Sequence, residues 1–256
     1  MIKSNILKKI SSGKKIWCVL IDPDKLPLEK INHLISLINK SSCDYVLVGG
    51  SLVNNFYYND FIKKIKTISR KPVIIFPGNN QQISKHADGL FLLSLISGRN
   101  PDLLIGQHVK SAFKLKESKL EILPCGYLLI EGESLTSAIY MSESLPIPKD
   151  KSDIAAATAL AGEQLGLQFI YLDKGSGSKF TVQNKMIKAV SNNIKIPLIV
   201  GGGINNQKDL NNVWNSGADI AVIGTAIEED FNNKHPVKDK IAKQDPTDKE
   251  AVMPAE

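Results

Sequence analysis

The chain has 256 residues, 43% of them hydrophobic, which is enough to bury a full core and matches one α/β barrel of about 250 residues better than two average domains. Its formal charge of +6 comes from lysines scattered among Asn, Ile and Ser rather than gathered with aromatics, which argues against a nucleic-acid binder and leaves a modest attraction for pyrophosphate or an anionic membrane surface. Cys18, Cys43 and Cys125 have neither disulfide nor zinc spacing, so a reducing cytoplasm is expected, and no run is long enough to span a bilayer.

The N-terminal residues 1–10 read as a short amphipathic helix. Eight apolar runs rich in Val, Ile and Leu then follow: Ile16–Ile21, Tyr45–Val48, Val73–Phe76, Gly89–Leu93, Glu121–Ile130, Phe169–Leu172, Leu198–Val200 and Ile220–Ile223. Such continuous runs mark strands buried on both faces of a parallel sheet. Between them lie segments with helical spacing, such as Ile31, Leu34, Ile35 and Ile38. Eight strands and their helices predict a single (β/α)8 TIM-type barrel over residues 1–233, with a doubly wound open sheet as the competitor. Residues 234–256 hold three prolines, many charges and few apolar residues, and read as a disordered tail.

In such a barrel the working loops follow the C-terminal ends of the strands. The first carries Asp22-Pro-Asp-Lys25, where two carboxylates in one loop suit a magnesium ion bridging to substrate phosphates, although Asp is also a good helix cap. The second ends Val48-Gly-Gly-Ser-Leu52, and the Ser51 hydroxyl could complete a magnesium shell. The sixth runs Tyr171-Leu-Asp-Lys-Gly-Ser-Gly-Ser178, joining a carboxylate, Asp173, and an ammonium, Lys174, to a glycine turn. Asp173 is placed to deprotonate a hydroxyl or stabilise a developing cation, or to pair with Lys174. Gly201-Gly-Gly-Ile204 and Gly224-Thr-Ala226 follow the seventh and eighth strands, where barrels often bind phosphate through backbone N–H groups. The four histidines show no spacing for a metal site or triad and read as surface or helix positions.

These residues together resemble the geranylgeranylglyceryl phosphate synthase family, over most of residues 14–230. The matching segments are Ile21-Asp-Pro-Asp-Lys25, Val48-Gly-Gly-Ser51, Tyr127-Leu-Leu-Ile130, Ser152 to Gly162, Tyr171 to Gly177, Val200-Gly-Gly-Gly-Ile204 and Val222-Ile-Gly-Thr-Ala226. The resemblance implies a Mg2+-dependent prenyltransferase that joins sn-glycerol 1-phosphate to a polyprenyl diphosphate, working as a homo-oligomer near the membrane. It assigns Asp22 and Ser51 to magnesium, Tyr171, Leu172, Asp173, Lys174, Gly175, Ser176 and Gly177 to the glycerol phosphate, and Gly202, Gly203, Gly224 and Thr225 to its phosphate. Asp173 is then the catalytic base, and an apolar groove after strands four and five receives the prenyl chain.

Two departures stand out. The family usually has Glu where this chain has Asp173, followed by a small residue where it has Lys174. Leu20 replaces a lysine that one branch places two residues before the metal aspartate, which points to the other branch, with its archaeal and Bacteroidetes-type members. The alternatives are a sugar-phosphate isomerase or aldolase, kept alive by Lys174, and a non-catalytic phosphometabolite-binding barrel.

Overall fold

The computed structural model describes residues 1–54 and 57–224. Eight parallel strands close into a barrel in chain order: β1 Ile16–Ile21, β2 Tyr45–Val48, β3 Val73–Ile75, β4 Gly89–Leu95, β5 Glu121–Leu129, β6 Phe169–Asp173, β7 Leu198–Gly201 and β8 Ile220–Ile223. Closure is between β1 and β8, with Ile16 opposite Ile220 and Cys18 opposite Val222. The open sheet is thereby excluded.

Helices α1 Ile2–Ser11, α2 Ile31–Lys40, α3 Tyr58–Ile68, α4 Gln107–Ser118, α5 Ser137–Ser142, α6 Ser152–Gln164, α7 Asn184–Ser191 and α8 Gln207–Asn215 accompany the strands. The expectation of a helix in every crossover fails between β3 and β4, where residues 76–88 run as turns. Residues 225–256, including the expected tail, lie outside the described residues.

Strand alternation divides the core in two. One set of side chains fills the barrel: Ile16 and Cys18, Tyr45 and Leu47, Phe91, Leu123 and Cys125, Phe169 and Tyr171, Ile199, Ile220 and Val222. The opposite set, including Trp17, Val19, Val46, Ile75, Ile170, Leu172 and Val200, packs against the helices. In α2, Ile31, Leu34, Ile35 and Ile38 recur at helical spacing and are all buried on that outer layer. Each such side chain contributes about 1.5–3 kcal/mol relative to exposure.

Helix α1 closes the barrel at the N-terminal ends of the strands. Its Ile2 and Ile6 join the interior cluster. The Glu121 carboxylate at the start of β5 accepts hydrogen bonds from the N–H groups of Ile2 and Lys3, satisfying donors that a helix N-terminus leaves open. The expected N-terminal amphipathic helix is therefore present and acts as a plug, leaving the opposite end for chemistry.

Candidate active site at the barrel mouth

Period-two alternation carries specific side chains into the mouth. On β6 the inward phase runs Phe169, Tyr171, Asp173, and on β5 it runs Leu123, Cys125, Tyr127. The same phase continued beyond β1 and β2 reaches Asp22 and Ser51. All of Tyr127, Tyr171, Asp173, Asp22 and Ser51 line one cavity of about 890 Å³, near the top of the range of about 300–1,000 Å³ usual for small-molecule sites.

The floor is aromatic. Phe76 stands 5.1 Å from the Tyr171 ring and 5.9 Å from that of Tyr127, and the two tyrosine rings are 5.5 Å apart. Such pairs fix ring positions beyond what area burial alone provides. Burial pushes both phenols far above the usual tyrosine range, so each stays protonated.

Asp173 is held between two donors. Tyr127 Oη donates to Asp173 Oδ2, and the Gly175 N–H donates to Oδ1 at 2.8 Å. Burial raises its pKa, and these two hydrogen bonds partly oppose the rise. A carboxylate with a raised pKa is a better proton acceptor near neutrality than an exposed one. The pairing of Asp173 with Lys174 considered from sequence does not form; Lys174 pairs with Glu133 at 2.7 Å instead.

Gly202, Gly203 and Gly224 line the polar rim together with Ser176, Gly177 and Ser178. Gly202 and Gly203 adopt φ of +87° and +70°, a region that side chains rarely enter. Successive main-chain groups in this conformation make an anion-binding concavity. Thr225 lies outside the described residues. Leu172, in the outward phase, packs in the outer core, and Lys174 and Gly175 do not line the cavity. Within β6 the motif read from sequence thus contributes alternate residues to the mouth, because a strand sends neighbours to opposite faces, whereas beyond the strand Ser176 and Gly177 line it consecutively.

Asp22 lies against the backbone of Gly50: a Cβ built there would be 3.3 Å from the carboxylate carbon and both oxygens. Lys25 Nζ is 3.6 Å from Asp22 Oδ2. Among the described residues no group of three or more His, Cys, Asp or Glu could hold a metal by itself. One carboxylate and one hydroxyl in a glycine-rimmed mouth nevertheless fit Mg2+, which keeps several waters and shares substrate phosphate oxygens.

Apolar side chains cluster in another part of the lining. Leu92, Leu93 and Leu95 of β4, Leu103 and Leu115 from the segment after it, and Met141 of α5 form an arm leading away from the glycine rim. Asp102–Gly106 winds as a π-helical turn leading into α4 beside this arm, a distortion often found at functional sites. His108, read from sequence as a helix position, sits on α4 but faces the cavity, its Nε2 2.9 Å from the Leu93 carbonyl oxygen.

Two contributors had no role in the sequence reading. Tyr127 stood only inside a motif, although its phase with Leu123 and Cys125 signals an inward position. Glu133 gave no signal, because its partners Lys174 and Ser178 lie more than 40 residues away.

A closed barrel with a glycine rim, a half-buried carboxylate and a cluster of leucines at its C-terminal mouth has the make-up of a (β/α)8 enzyme for a phosphorylated substrate. The PcrB family matches residues 9–243, and the chain belongs to that family. A geranylgeranylglyceryl phosphate synthase of Spirosoma linguale is 47% identical over 219 residues, covering 86% of this chain and 88% of that one. The enzyme of the same name from Pyrococcus abyssi is 39% identical over 229 residues, covering 89% and 90%. Among solved structures, the (S)-3-O-geranylgeranylglyceryl phosphate synthase of Thermoplasma acidophilum in complex with its substrate sn-glycerol-1-phosphate superposes with a TM-score of 0.85 at 29% identity, covering 94% of this chain and 98% of that one.

Proposed function

We propose that this protein is a Mg2+-dependent prenyltransferase that alkylates the primary hydroxyl of sn-glycerol 1-phosphate with a polyprenyl diphosphate, geranylgeranyl diphosphate by preference. The observation that carries the reading is one cavity lined at once by the glycine rim, the half-buried Asp173 and the leucines of β4 and α4. A phosphorylated, hydroxyl-bearing acceptor and a long apolar donor each find matching chemistry there. The relatives that carry the synthase name, and the related enzyme with sn-glycerol-1-phosphate bound, support the same assignment.

In this reading the main-chain N–H groups around Gly202, Gly203 and Gly224 receive the acceptor's phosphate, and Ser176 and Gly177 close over it. Asp173, held by Tyr127 and the Gly175 N–H, takes the proton of the primary hydroxyl as that oxygen bonds to C1 of the prenyl group. The bond between C1 and the diphosphate oxygen breaks, and the bonding pair leaves with pyrophosphate. Mg2+ held by Asp22 and Ser51 would supply charge neutralisation for that leaving group. Leu93, Leu115 and Met141 keep the allylic chain away from water. The shorter carboxylate at position 173 remains in the inward phase of β6, so the substitution changes its reach and not its direction.

The aldolase alternative loses its candidate, since the Lys174 ammonium is paired with Glu133 away from the mouth. Among the described residues no helix is long and apolar enough to cross a membrane. In this proposal the enzyme acts as a homo-oligomer and meets its lipid-borne donor at a bilayer surface. The test is mass-spectrometric detection of product from sn-glycerol 1-phosphate, Mg2+ and C15, C20 and C35 prenyl diphosphates, with sn-glycerol 3-phosphate as control. Ether formation from the 1-phosphate alone, lost in Asp22→Asn, is expected. Binding of the 1-phosphate without turnover would select the non-catalytic barrel.

A further inference from the structure

The alternation that turns Asp173 into the mouth sends Lys174 outward, yet Lys174 is only 5% exposed. A lysine so buried needs a partner, because an unpaired ammonium is costly to remove from water. Its Nζ lies 2.7 Å from Glu133 Oε1, with the Thr181 carbonyl at 3.4 Å and the Phe180 ring centroid at 5.8 Å. The other Glu133 oxygen, Oε2, accepts a hydrogen bond from Ser178 Oγ at 2.8 Å. One carboxylate therefore grips the turn at both ends, at Lys174 and at Ser178.

Between those points lie Gly175, Ser176 and Gly177. Both glycines have positive φ, +94° and +78°, and Ser176 and Gly177 line the polar side of the cavity. A turn with two glycines has many alternative conformations to lose when a ligand binds. Glu133 itself belongs to the loop after β5. That loop is seated against the turn: a Cβ built on Gly132 would be 3.1 Å from the Lys174 carbonyl oxygen. Three residues beyond Glu133, Thr136 caps α5, whose Met141 faces the apolar arm.

We propose that Glu133 is a positioning residue: through Lys174 and Ser178 it latches the 175–178 turn into the conformation that receives the acceptor's phosphate. The inference rests on the functional reading above, and it gives Lys174 a role in ordering the turn in place of contact with substrate. Hydrogen bonding from Lys174 brings the Glu133 carboxyl down to about 2, so the latch stays charged at any working pH.

The experiment is calorimetric titration of sn-glycerol 1-phosphate into wild type, Glu133→Gln, Ser178→Ala and the double variant, followed by steady-state kinetics. Loss of a hydrogen bond to a charged group predicts affinity weakened by about tenfold or more in Glu133→Gln. Ser178→Ala should weaken it less, with its melting temperature unchanged. The double variant should match Glu133→Gln alone, because both substitutions break the same link. KM for sn-glycerol 1-phosphate should rise while KM for the prenyl diphosphate holds. Additive losses would mean that Ser178 acts on the ligand directly and would overturn the latch, as would unchanged affinity in Ser178→Ala, the variant that decides should Glu133→Gln not fold. Wild-type protein that does not bind sn-glycerol 1-phosphate refutes the functional reading itself, whereas binding that is equal in all variants overturns the latch alone.

Discussion

Gly201→Ala probes how tightly the floor of the mouth is locked. Gly201 ends β7 in the inward phase, opposite Asp173, and its carbonyl accepts the Lys174 N–H at 3.2 Å. A Cβ at this position would stand 2.9 Å from Tyr171 Cζ and 3.2 Å from Cε1, and closer still to the phenolic oxygen. The ring cannot retreat, since Tyr171 is buried with Phe76 at 5.1 Å and Tyr127 at 5.5 Å. Overpacking of this kind costs about 1–3 kcal/mol, and each kcal/mol lowers Tm by about 2–4 °C in a chain of 150–250 residues. Relief comes only by parting β6 from β7 or tilting Tyr171, and either displaces Asp173. A shift of about 1 Å at a reacting group can cost about a hundredfold in rate. Paired melting curves and kcat/KM on Gly201→Ala, Tyr171→Phe and the double variant test the account. Removing the phenolic oxygen deletes the nearest obstacle, so the double variant should melt above Gly201→Ala. Wild-type melting and kcat/KM in Gly201→Ala would refute the locked floor.

Asp173→Asn should lose activity by about 10²–10⁴-fold, the usual contribution of a positioned general base, yet melt higher than wild type at pH 7. The folded carboxyl has a raised pKa, chiefly through burial, so its contribution to stability is present below its unfolded value and lost as pH rises through the folded one. The Tm advantage of the variant should accordingly shrink as pH falls toward 4, and an advantage independent of pH would contradict the burial argument. Ile6→Ala, at the plugged end, should cost about 2–5 kcal/mol as a large-to-small core change while leaving kcat per folded molecule intact, since Ile6 packs in the barrel interior below the aromatic floor. Urea unfolding read beside kcat separates the two effects.

The strands were legible because a sheet buried on both faces writes itself as apolar runs, and their order in the chain is their order around the barrel. The β3–β4 crossover was not, since residues 76–88 contain Pro77, Gly78 and a polar Asn and Gln run whose turns carry no periodicity. In the mouth, the cavity positions of Asp22, Ser51, Asp173 and the glycines were legible because each lies within a few residues of the end of an apolar run. What a run cannot show is phase. Treating Tyr171 to Gly177 as one binding segment gave Leu172 and Lys174 the same standing as Asp173, whereas pleating sends them to the other face. Glu133 was invisible for a different reason, because nothing local marks a loop carboxylate whose two partners belong to another strand's loop.

The same pleat explains how one short motif serves two demands that conflict electrostatically. An ammonium beside Asp173 in the mouth would lower the carboxyl's pKa and weaken it as a base. Placed one residue later and turned away from the mouth, the Lys174 ammonium is paired with Glu133, while burial raises the Asp173 carboxyl against the hydrogen bonds from Tyr127 and the Gly175 N–H. The Asp-Lys pair is therefore not a self-cancelling salt bridge. Under the proposed latch, the cation beside Asp173 orders the 175–178 turn through Glu133 and leaves the Asp173 carboxylate basic.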